Sequence, residues 1–268
     1  MKELSLNECH GRLIKIANLF HIICENNNIP YYMIGGTMLG AIRHKGFIPW
    51  DDDMDFGVPR KYFDLLIDAL EKGIHSPYRV ISYKTANYPL SFIKIEDTKT
   101  WIDDPQRRGH NDLRIGINID IFPLEECSLD SNKVNPYIKR KQLDTLLISA
   151  YYLSFVHESW QTRLFHKIVH ILFKNKSVDY WLERDRKFIE KVNNTGDEAY
   201  INFFGIYCDR GIINRIYYGS PKLYQFEDSS FYGVEQYDVI LKQIYGNYME
   251  LPPENKRRNH SNKIYELD

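Results

Sequence analysis

The sequence predicts an α+β protein in two parts, with short strands between helices before residue 132 and mostly helices after it. In the first part several short apolar runs alternate with a period of two, whereas the second part holds three long stretches at helical spacing. The 268 residues are enough for one large domain, or for a core domain with a smaller one. We place a boundary near Asn132, which gives regions 1–131 and 132–268.

The first region is expected to begin with an amphipathic helix, because Leu13, Ile16, Phe20 and Ile23 recur at helical spacing. Thr37 is expected to cap a short helix that ends at Arg43 and leaves its N-terminus open to an anion. The further elements expected in this region are strands over 31–34, 53–58, 90–97 and 115–122 and a helix over 60–70.

The second region is expected to be mostly helical. Helical patterns cover 137–155, 161–173, 177–192 and 235–245, and a Tyr-rich stretch of mixed character follows residue 199. The tail over 251–260 is polar and basic and includes Lys256 and Arg257. We expect this tail to complete the site formed by the first region.

Composition narrows the classes of function. A net charge of −1 argues against a nucleic-acid partner, which requires a basic face. The four cysteines are scattered without a Cys-x-x-Cys pair, which disfavours a zinc site or a disulfide framework. We expect a cytoplasmic protein, since neither a secretory leader nor a membrane span is evident. The segments 146–156 and 163–176 could contact the inner face of the membrane peripherally, although ordinary helix packing also explains them.

Four aspartates within five residues are the main chemical feature of the sequence. On a strand Asp53 and Asp55 face the same side, and Asp51 shares their parity if the strand begins early. Met54 and Phe56 alternate with them and should point to the core. Carboxylates this close repel one another unless a cation lies among them, and ligation by oxygen alone favours Mg²⁺ or Mn²⁺.

A second acidic strand is expected to complete the cluster. Ile115, Ile117, Ile119 and Ile121 form one face of the run over 115–122, so Asp120 projects from the opposite face. Lys94 lies on another predicted strand and could contact a phosphate or be an ordinary edge lysine.

Phosphate-binding groups are expected beside the aspartates. Gly turns and basic side chains suit a phosphate, and the candidates here are Gly35, Gly36, Thr37, Arg43, His44, Lys45, Lys94, Lys256 and Arg257. The basic residues could also be a solvated helix end and a solvated tail. An acidic surface loop or a calcium loop could explain the aspartates, but the glycine and glutamate positions of the calcium pattern hold Phe56 and Tyr62.

These residues together resemble the LicD family, which includes bacterial phosphocholine transferases and is related to the fukutin-related ribitol-phosphate transferases. The matching segments are 35–57, Lys94-Ile-Glu-Asp97 with Thr100, Gly116 to Leu124, Tyr245-Gly246, and the Pro252-Pro-Glu…Lys256-Arg tail. The helical middle, about 132–215, holds no matching motif.

The resemblance implies a nucleotidyltransferase-like mixed sheet that carries the metal carboxylates. It assigns Asp51, Asp53 and Asp55 to the metal, Gly36 and Thr37 to the phosphate turn, and Asp120 as a further metal carboxylate. The catalytic residues expected on this basis are Asp53, Asp55 and Asp120.

The implied reaction is Mg²⁺-dependent transfer of a phospho-alcohol group, with phosphocholine as the leading candidate. The donor would be CDP-activated, the acceptor a hydroxyl of a cell-surface glycan or its lipid-linked precursor, and CMP the leaving group. Two alternatives stay open: a nucleotidyltransferase that uses an NTP and releases pyrophosphate, and a non-catalytic metal- or sugar-binding relative.

Overall fold

The computed structural model describes residues 1–104, 114–152, 159–205, 207–257 and 262–267. Its helices are α1 (Leu6–Asn26), α2 (Gly35–Arg43), α3 (Phe63–Gly73), α4 (Ser131–Tyr152), α5 (Trp160–Phe173), α6 (Val178–Asn193), α7 (Arg215–Tyr218) and α8 (Tyr237–Tyr245). Its strands are β1 (Lys2–Glu3), β2 (Tyr32–Met33), β3 (Asp55–Pro59), β4 (Tyr78–Ile81), β5 (Ile93–Asp97), β6 (Thr100–Asp103), β7 (Asn118–Cys127), β8 (Ala199–Ile201), β9 (Ile213–Asn214), β10 (Lys222–Phe226), β11 (Ser229–Gly233) and β12 (Lys263–Glu266).

The main sheet is mixed, in agreement with the predicted α+β class. The strand order is β10-β11-β2-β3-β7-β5-β4. Strand β8 pairs with the C-terminal end of β7, and β9 pairs with β8. Strand β3 runs parallel to β7, and β11 runs parallel to β2, while the other pairs are antiparallel. A small second sheet joins β1, β12 and β6.

Strands from both sides of residue 132 form the main sheet. The chain is helical over most of 131–193, but β8 to β11 then extend the sheet. Aromatic residues of β10 and β11, such as Phe226 and Phe231, are buried in the same core as α1. These aromatic side chains suit a half-buried pleated surface. The division into regions 1–131 and 132–268 therefore stays a prediction about folding units.

The core confirms the predicted faces of the central strands. Ile117, Ile119 and Ile121 are buried in the main core, as are Met54 and Phe56. Helix α1 packs on these strands and begins with a capping box, in which Ser5 and Glu8 bond each other's backbone N–H groups. The core therefore fixes one face of β3 and β7, and the acidic side chains between these residues occupy the other face.

Three predicted helix boundaries are wrong. Helix α2 begins at Gly35 rather than after Thr37, and Ile34 is its N-cap residue. A 3-10 turn over Arg60–Tyr62 separates Pro59 from α3. Helix α4 begins at Ser131 instead of the predicted Tyr137. The predicted end of this helix, Phe155, lies outside the described residues. Among the helices in the described ranges, none is both long and apolar enough to cross a membrane.

Candidate active site

Three adjacent strands place a row of charged side chains on the open face of the sheet. In the parallel pairing of β3 with β7, Asp55 lies directly beside Asp120, and in the antiparallel pairing of β5 with β7, Lys94 lies beside Asp120. The ammonium group of Lys94 forms an ion pair with Asp120 and donates to Oδ1 of Asn118 at 3.0 Å. Strand register thus brings the two predicted acidic segments together and gives Asp120 a cationic partner.

The loop before β3 carries Asp51 and is held from both sides. Nε2 of His10 on α1 donates to the carbonyl oxygen of Asp51 at 2.7 Å. The His10 ring stacks on Phe47 with ring centroids 3.8 Å apart, and the Phe47 N–H donates to Oε1 of Glu227 at 3.0 Å. The position of Asp51 therefore depends on α1 and on the β10–β11 turn as well as on its own segment.

The Gly-Gly start of α2 lies against these carboxylates. Gly35 has a φ of +55°, a left-handed conformation that favours glycine. A Cβ atom on Gly36 would lie only 2.8 Å from Oδ2 of Asp51, which shows how closely that carboxylate approaches the helix backbone. Thr37 is the third helical residue, and its Oγ1 accepts a hydrogen bond from the Asp55 N–H at 2.8 Å. It therefore positions β3 instead of capping the helix.

A cavity of about 410 Å³ opens at this point, within the size range of small-molecule sites. Carboxylates and the Gly-Gly helix start form one part of its wall, and aromatic and apolar side chains form the rest. Its lining includes Gly35, Gly36, Asp51, Asp53, Asp55, Asp120, Phe122, Leu124, Asn202, Phe204, Tyr207 and Tyr218. A second cavity of about 260 Å³ shares Asp53 and Asp120 with the first and is also lined by Asp52, Lys94, Asn118 and Asn262. Two cavities therefore meet at the same carboxylates.

The electrostatics of this cluster favour the binding of a cation. Burial raises the pKa of Asp55 well above its usual range, and the neighbouring charges of Asp53, Asp120 and Asp51 raise it further. Lys94 acts in the opposite direction but does not cancel these effects. A divalent cation would relieve this repulsion, and carboxylate oxygens are among the ligands that suit Mg²⁺.

The side chains do not form a finished metal centre. In the described part of the chain, no group of three or more His, Cys, Asp or Glu side chains is arranged to hold a metal ion. The donor types fit Mg²⁺, since four aspartates line one cavity, but their oxygens would have to converge when the ion binds. The metal therefore stays a proposal.

Sequence reasoning allowed Tyr and Trp side chains to hold a choline ammonium group but did not locate the aromatic side of the cavity. The Tyr207 and Tyr245 hydroxyl groups lie 2.5 Å apart, and a Cβ atom on Gly35 would lie 3.8 Å from Oη of Tyr207 and 3.7 Å from Oδ2 of Asp55. Burial raises the pKa of Tyr207, so this hydroxyl group stays protonated at neutral pH. The abundance of tyrosine was the only signal, because no local spacing links residues 207 and 245 to the aspartates.

Two predicted phosphate-binding residues bond elsewhere, and a third is exposed. Arg43 donates from Nη1 to the carbonyl oxygen of Tyr248 at 2.8 Å and from Nε to Nε2 of His44 at 2.9 Å. Burial lowers the pKa of His44, and the charge of Arg43 lowers it further. The carbonyl oxygen of Lys45 accepts from the Glu227 N–H at 2.7 Å, and Lys45 is exposed. None of the three lines either cavity described above, so their contact with a donor stays a prediction.

In the described part of the C-terminal tail, Arg257 lies beside the aspartate loop. The guanidinium group of Arg257 lies 5.1 Å from the ring centroid of Trp50, the residue before Asp51, and its Nε donates to the carbonyl oxygen of Pro252 at 3.0 Å. Lys256 lies in a 3-10 turn over Glu254–Lys256, and its side chain is outside the described residues. The tail thus adjoins the loop that carries Asp51.

Comparison with known proteins identifies the class to which this arrangement belongs. Residues 28–126, which include α2, β3 and all but the last residue of β7, match the family model described as LicD/FKTN/FKRP, nucleotidyltransferase domain. The chain therefore carries a LicD-family domain, which confirms the resemblance inferred from its motifs.

The relatives extend this finding along the chain. The lipopolysaccharide cholinephosphotransferase LicD of Haemophilus influenzae is 29% identical over 267 residues, covering 97% of each protein. The human ribitol 5-phosphate transferase FKRP is 38% identical over 50 residues, 19% of this chain and 10% of that protein. Among solved structures, terminal uridylyl transferase 4 from Trypanosoma brucei with bound GTP is 13% identical over 55% of this chain and 53% of that chain, with a TM-score of 0.24. That score is too low to assign a fold.

Proposed function

We propose that this protein transfers a phospho-alcohol group, phosphocholine in the first instance, from a CDP-activated donor to a hydroxyl group of a cell-surface glycan or its lipid-linked precursor. The observation that carries the proposal is that Asp51, Asp53, Asp55 and Asp120 line one cavity beside the Gly-Gly start of α2. The Haemophilus influenzae relative, a lipopolysaccharide cholinephosphotransferase that aligns over nearly the whole chain, supports the choice of group and of a lipopolysaccharide acceptor.

Asp53 and Asp55 would hold the Mg²⁺ ion, and Asp51 and Asp120 are placed to add ligands. When bound, the ion would supply positive charge to the donor diphosphate and to the oxygens that develop charge during transfer. Lys94 already neutralises part of the charge of Asp120 through its ion pair. Asp55, whose pKa is raised by burial and by its acidic neighbours, is a carboxylate that a bound cation would stabilise.

The two cavities give the donor and the acceptor separate approaches to the same carboxylates. In the proposed reaction the acceptor hydroxyl oxygen forms a bond to the distal phosphorus of the donor. The bond from that phosphorus to the bridging oxygen breaks, and CMP leaves with the electron pair. The hydroxyl proton passes to a carboxylate, with Asp120 and Asp51 as the candidates. Because Asp53 and Asp120 line both cavities, they lie where the reacting groups would meet.

The aromatic wall favours choline as the carried group. The larger cavity combines carboxylates with the rings of Phe122, Phe204, Tyr207 and Tyr218. A quaternary ammonium group is attracted to aromatic faces, at about 0.5–2 kcal/mol per ring, and has no hydrogen-bond donors that need partners. A ribitol or glycerol group would instead need hydrogen-bond partners for each hydroxyl group.

Product analysis tests the reaction class. We expect the protein with Mg²⁺, CDP-choline and a lipopolysaccharide acceptor to release CMP. Release of pyrophosphate from an NTP, without CMP from any CDP donor, would instead indicate the nucleotidyltransferase alternative.

A thermal-shift comparison tests the carried group. CDP-choline, CDP-ribitol, CDP-glycerol and CDP-ethanolamine are compared with Mg²⁺, since a ligand that binds the native state raises its stability. We expect CDP-choline to give the largest shift. Tyr207→Leu should reduce the ratio of the affinity for CDP-choline to that for CDP-glycerol by about 2- to 30-fold. Tyr207→Phe, which keeps the aromatic ring, should retain the wild-type ratio. Equal behaviour of the two variants would contradict an aromatic choline site.

A further inference from the structure

The phosphates of a donor in the larger cavity need hydrogen-bond partners besides a metal. None of the basic side chains in the described ranges lines this cavity, and Lys94 lines only the smaller one. Neutral donors also bind phosphate, because a hydrogen bond to an ionised acceptor is about twice as strong as one between neutral groups. The neutral donors of the cavity wall are therefore the candidates.

The segment that follows β8 supplies two of these donors, Asn202 and Tyr207. Tyr218 is the third neutral side-chain donor among the described lining residues. Its ring packs edge-on against Tyr32 and Tyr200, with ring centroids 5.1 and 5.2 Å away, as part of an aromatic cluster. Asn202 and Tyr207 are the two donors that a single short segment brings to the cavity.

The orientation of the Asn202 amide is fixed by the backbone. Its Oδ1 accepts a hydrogen bond from the Phe204 N–H at 2.9 Å, and a backbone N–H can only donate. The amide nitrogen therefore points away from that N–H group. Within the described residues it donates to no other group, so its two N–H donors are available to a molecule in the cavity that Asn202 lines.

The Tyr207 hydroxyl group is held by Tyr245 of α8. The two hydroxyl oxygens lie 2.5 Å apart, and the rings meet edge to face with centroids 5.4 Å apart. A hydrogen bond between two hydroxyl groups uses one of their two hydrogens, so one O–H donor remains. When Tyr245 donates to Tyr207, that donor belongs to Tyr207, the member of the pair that lines the cavity.

Helix α8 also fixes the backbone that follows Tyr207. Nε2 of Gln243 donates to the carbonyl oxygens of Ile212 and Arg210 at 2.8 and 3.0 Å. In return, Nη1 of Arg210 donates to the carbonyl oxygen of Ile244 at 3.0 Å. The position of the Tyr207 hydroxyl group is therefore set by α8 through both backbone and side-chain contacts.

We propose that Asn202 and Tyr207 bind the phosphate oxygens of the donor, through the Asn202 amide nitrogen and the Tyr207 hydroxyl group, and that Tyr245 positions this hydroxyl group. Oη of Tyr207 and Oδ2 of Asp55 would both lie within 4 Å of a Cβ atom on Gly35. A phosphate bound to a cation at Asp55 would therefore lie beside the hydroxyl group. This assignment rests on the proposed function, to which it adds phosphate ligands from the C-terminal half of the chain.

Isothermal titration calorimetry of the full chain with Mg²⁺ tests the assignment, with CDP-choline and CDP-glycerol as probes. Tyr207→Phe keeps the ring, and Asn202→Asp keeps the oxygen that accepts from Phe204 but replaces the N–H donors by a charge that repels phosphate. Each variant should bind both compounds about 10- to 100-fold more weakly, because both carry the same diphosphate. Tyr245→Phe should weaken binding by a smaller factor, because the Tyr207 hydroxyl group is retained.

The ³¹P resonances of bound CDP-choline should differ between wild type and Tyr207→Phe, because the variant removes a hydrogen bond to phosphate. Tyr224→Phe and Asn214→Asp are the matched controls and should bind as wild type does. Tyr224 donates to the carbonyl oxygen of Val234 at 2.8 Å, Oδ1 of Asn214 accepts from the Ile216 N–H at 3.0 Å, and neither residue lines the cavities described above. Circular dichroism checks that each variant is folded.

Three results would overturn the assignment while leaving the proposed function in place: wild-type affinity in either Tyr207→Phe or Asn202→Asp, a loss of affinity for CDP-choline alone, or unchanged ³¹P resonances. If the wild type binds an NTP but no CDP compound, the proposed function is overturned, and the assignment then predicts the same loss of NTP affinity in both variants. Binding of neither class of nucleotide would overturn both.

Discussion

Replacing Gly36 by alanine should separate activity from stability. The new Cβ atom would lie 2.8 Å from Oδ2 of Asp51, and an ordinary contact begins at 3.4 Å, so the carboxylate must move by about 0.6 Å. Because Asp51 is a side chain that can shift, the cost in folding free energy should be small. Gly→Ala within a helix also stabilises by roughly 0.5–1 kcal/mol. Displacement of a catalytic group by about 1 Å can cost on the order of 100-fold in rate, so we expect transfer to fall about 10- to 100-fold.

The assay is CMP release from CDP-choline with Mg²⁺ and acceptor, paired with urea unfolding. Gly11→Ala is the matched control, because Gly11 lies inside α1 and its Cβ atom would meet nothing within 4 Å. It should stabilise the protein by up to about 1 kcal/mol and leave transfer unchanged. Transfer by Gly36→Ala within twofold of wild type would refute the role assigned to Asp51.

Three other substitutions probe the surroundings of the site. Arg60→Leu should destabilise the protein by about 3 kcal/mol in urea unfolding, because Arg60 pairs with the buried Glu125, and Glu125→Leu added to it should restore most of the loss. Lys94→Met should lower transfer at least about tenfold by leaving Asp120 without its ammonium partner, whereas Lys84→Met, at a surface pair, should not. Asp55→Asn should abolish transfer and yet stabilise the metal-free protein. The raised pKa of Asp55 means that its stabilising protonated form is present at low pH and is lost as the pH rises through that pKa. Unfolding with a chelator should therefore show the gain at pH 8 and little difference near pH 4, and no gain at pH 8 would contradict the assigned repulsion.

The part of the site that the sequence predicted depends on local periodicity. Asp53 and Asp55 alternate with buried Met54 and Phe56, and Asp120 lies opposite an isoleucine stripe, so their faces follow from a period of two. Strand register then brings Asp55 and Asp120 together. The family resemblance added their expected roles, which neither the strands nor the cavity tests.

The parts that the sequence did not predict depend on contacts between distant segments. Tyr207 meets Tyr245 across 38 residues, and Arg43 reaches the carbonyl oxygen of Tyr248, pairings that no local pattern encodes. Thr37 was expected to cap a helix because Thr is a common capping residue. In the structure the Thr37 hydroxyl group instead accepts a hydrogen bond from the backbone N–H of Asp55, the first residue of β3. Strands β10 and β11 were not predicted because the Tyr-rich segment lacks a clear alternation of apolar and polar residues. In the structure β10 pairs with β11, and β11 pairs with β2.

The most direct test of the central claim is transfer of labelled phosphocholine from CDP-choline to lipopolysaccharide by Asp53→Asn and Asp55→Asn. Asp68→Asn, an exposed aspartate paired with Lys84 away from both cavities, serves as the control. We expect each site variant to lose transfer by at least about 1000-fold while retaining its circular dichroism spectrum, and the control to match wild type. Near-normal transfer by either folded site variant would contradict the claim that these carboxylates form the active site.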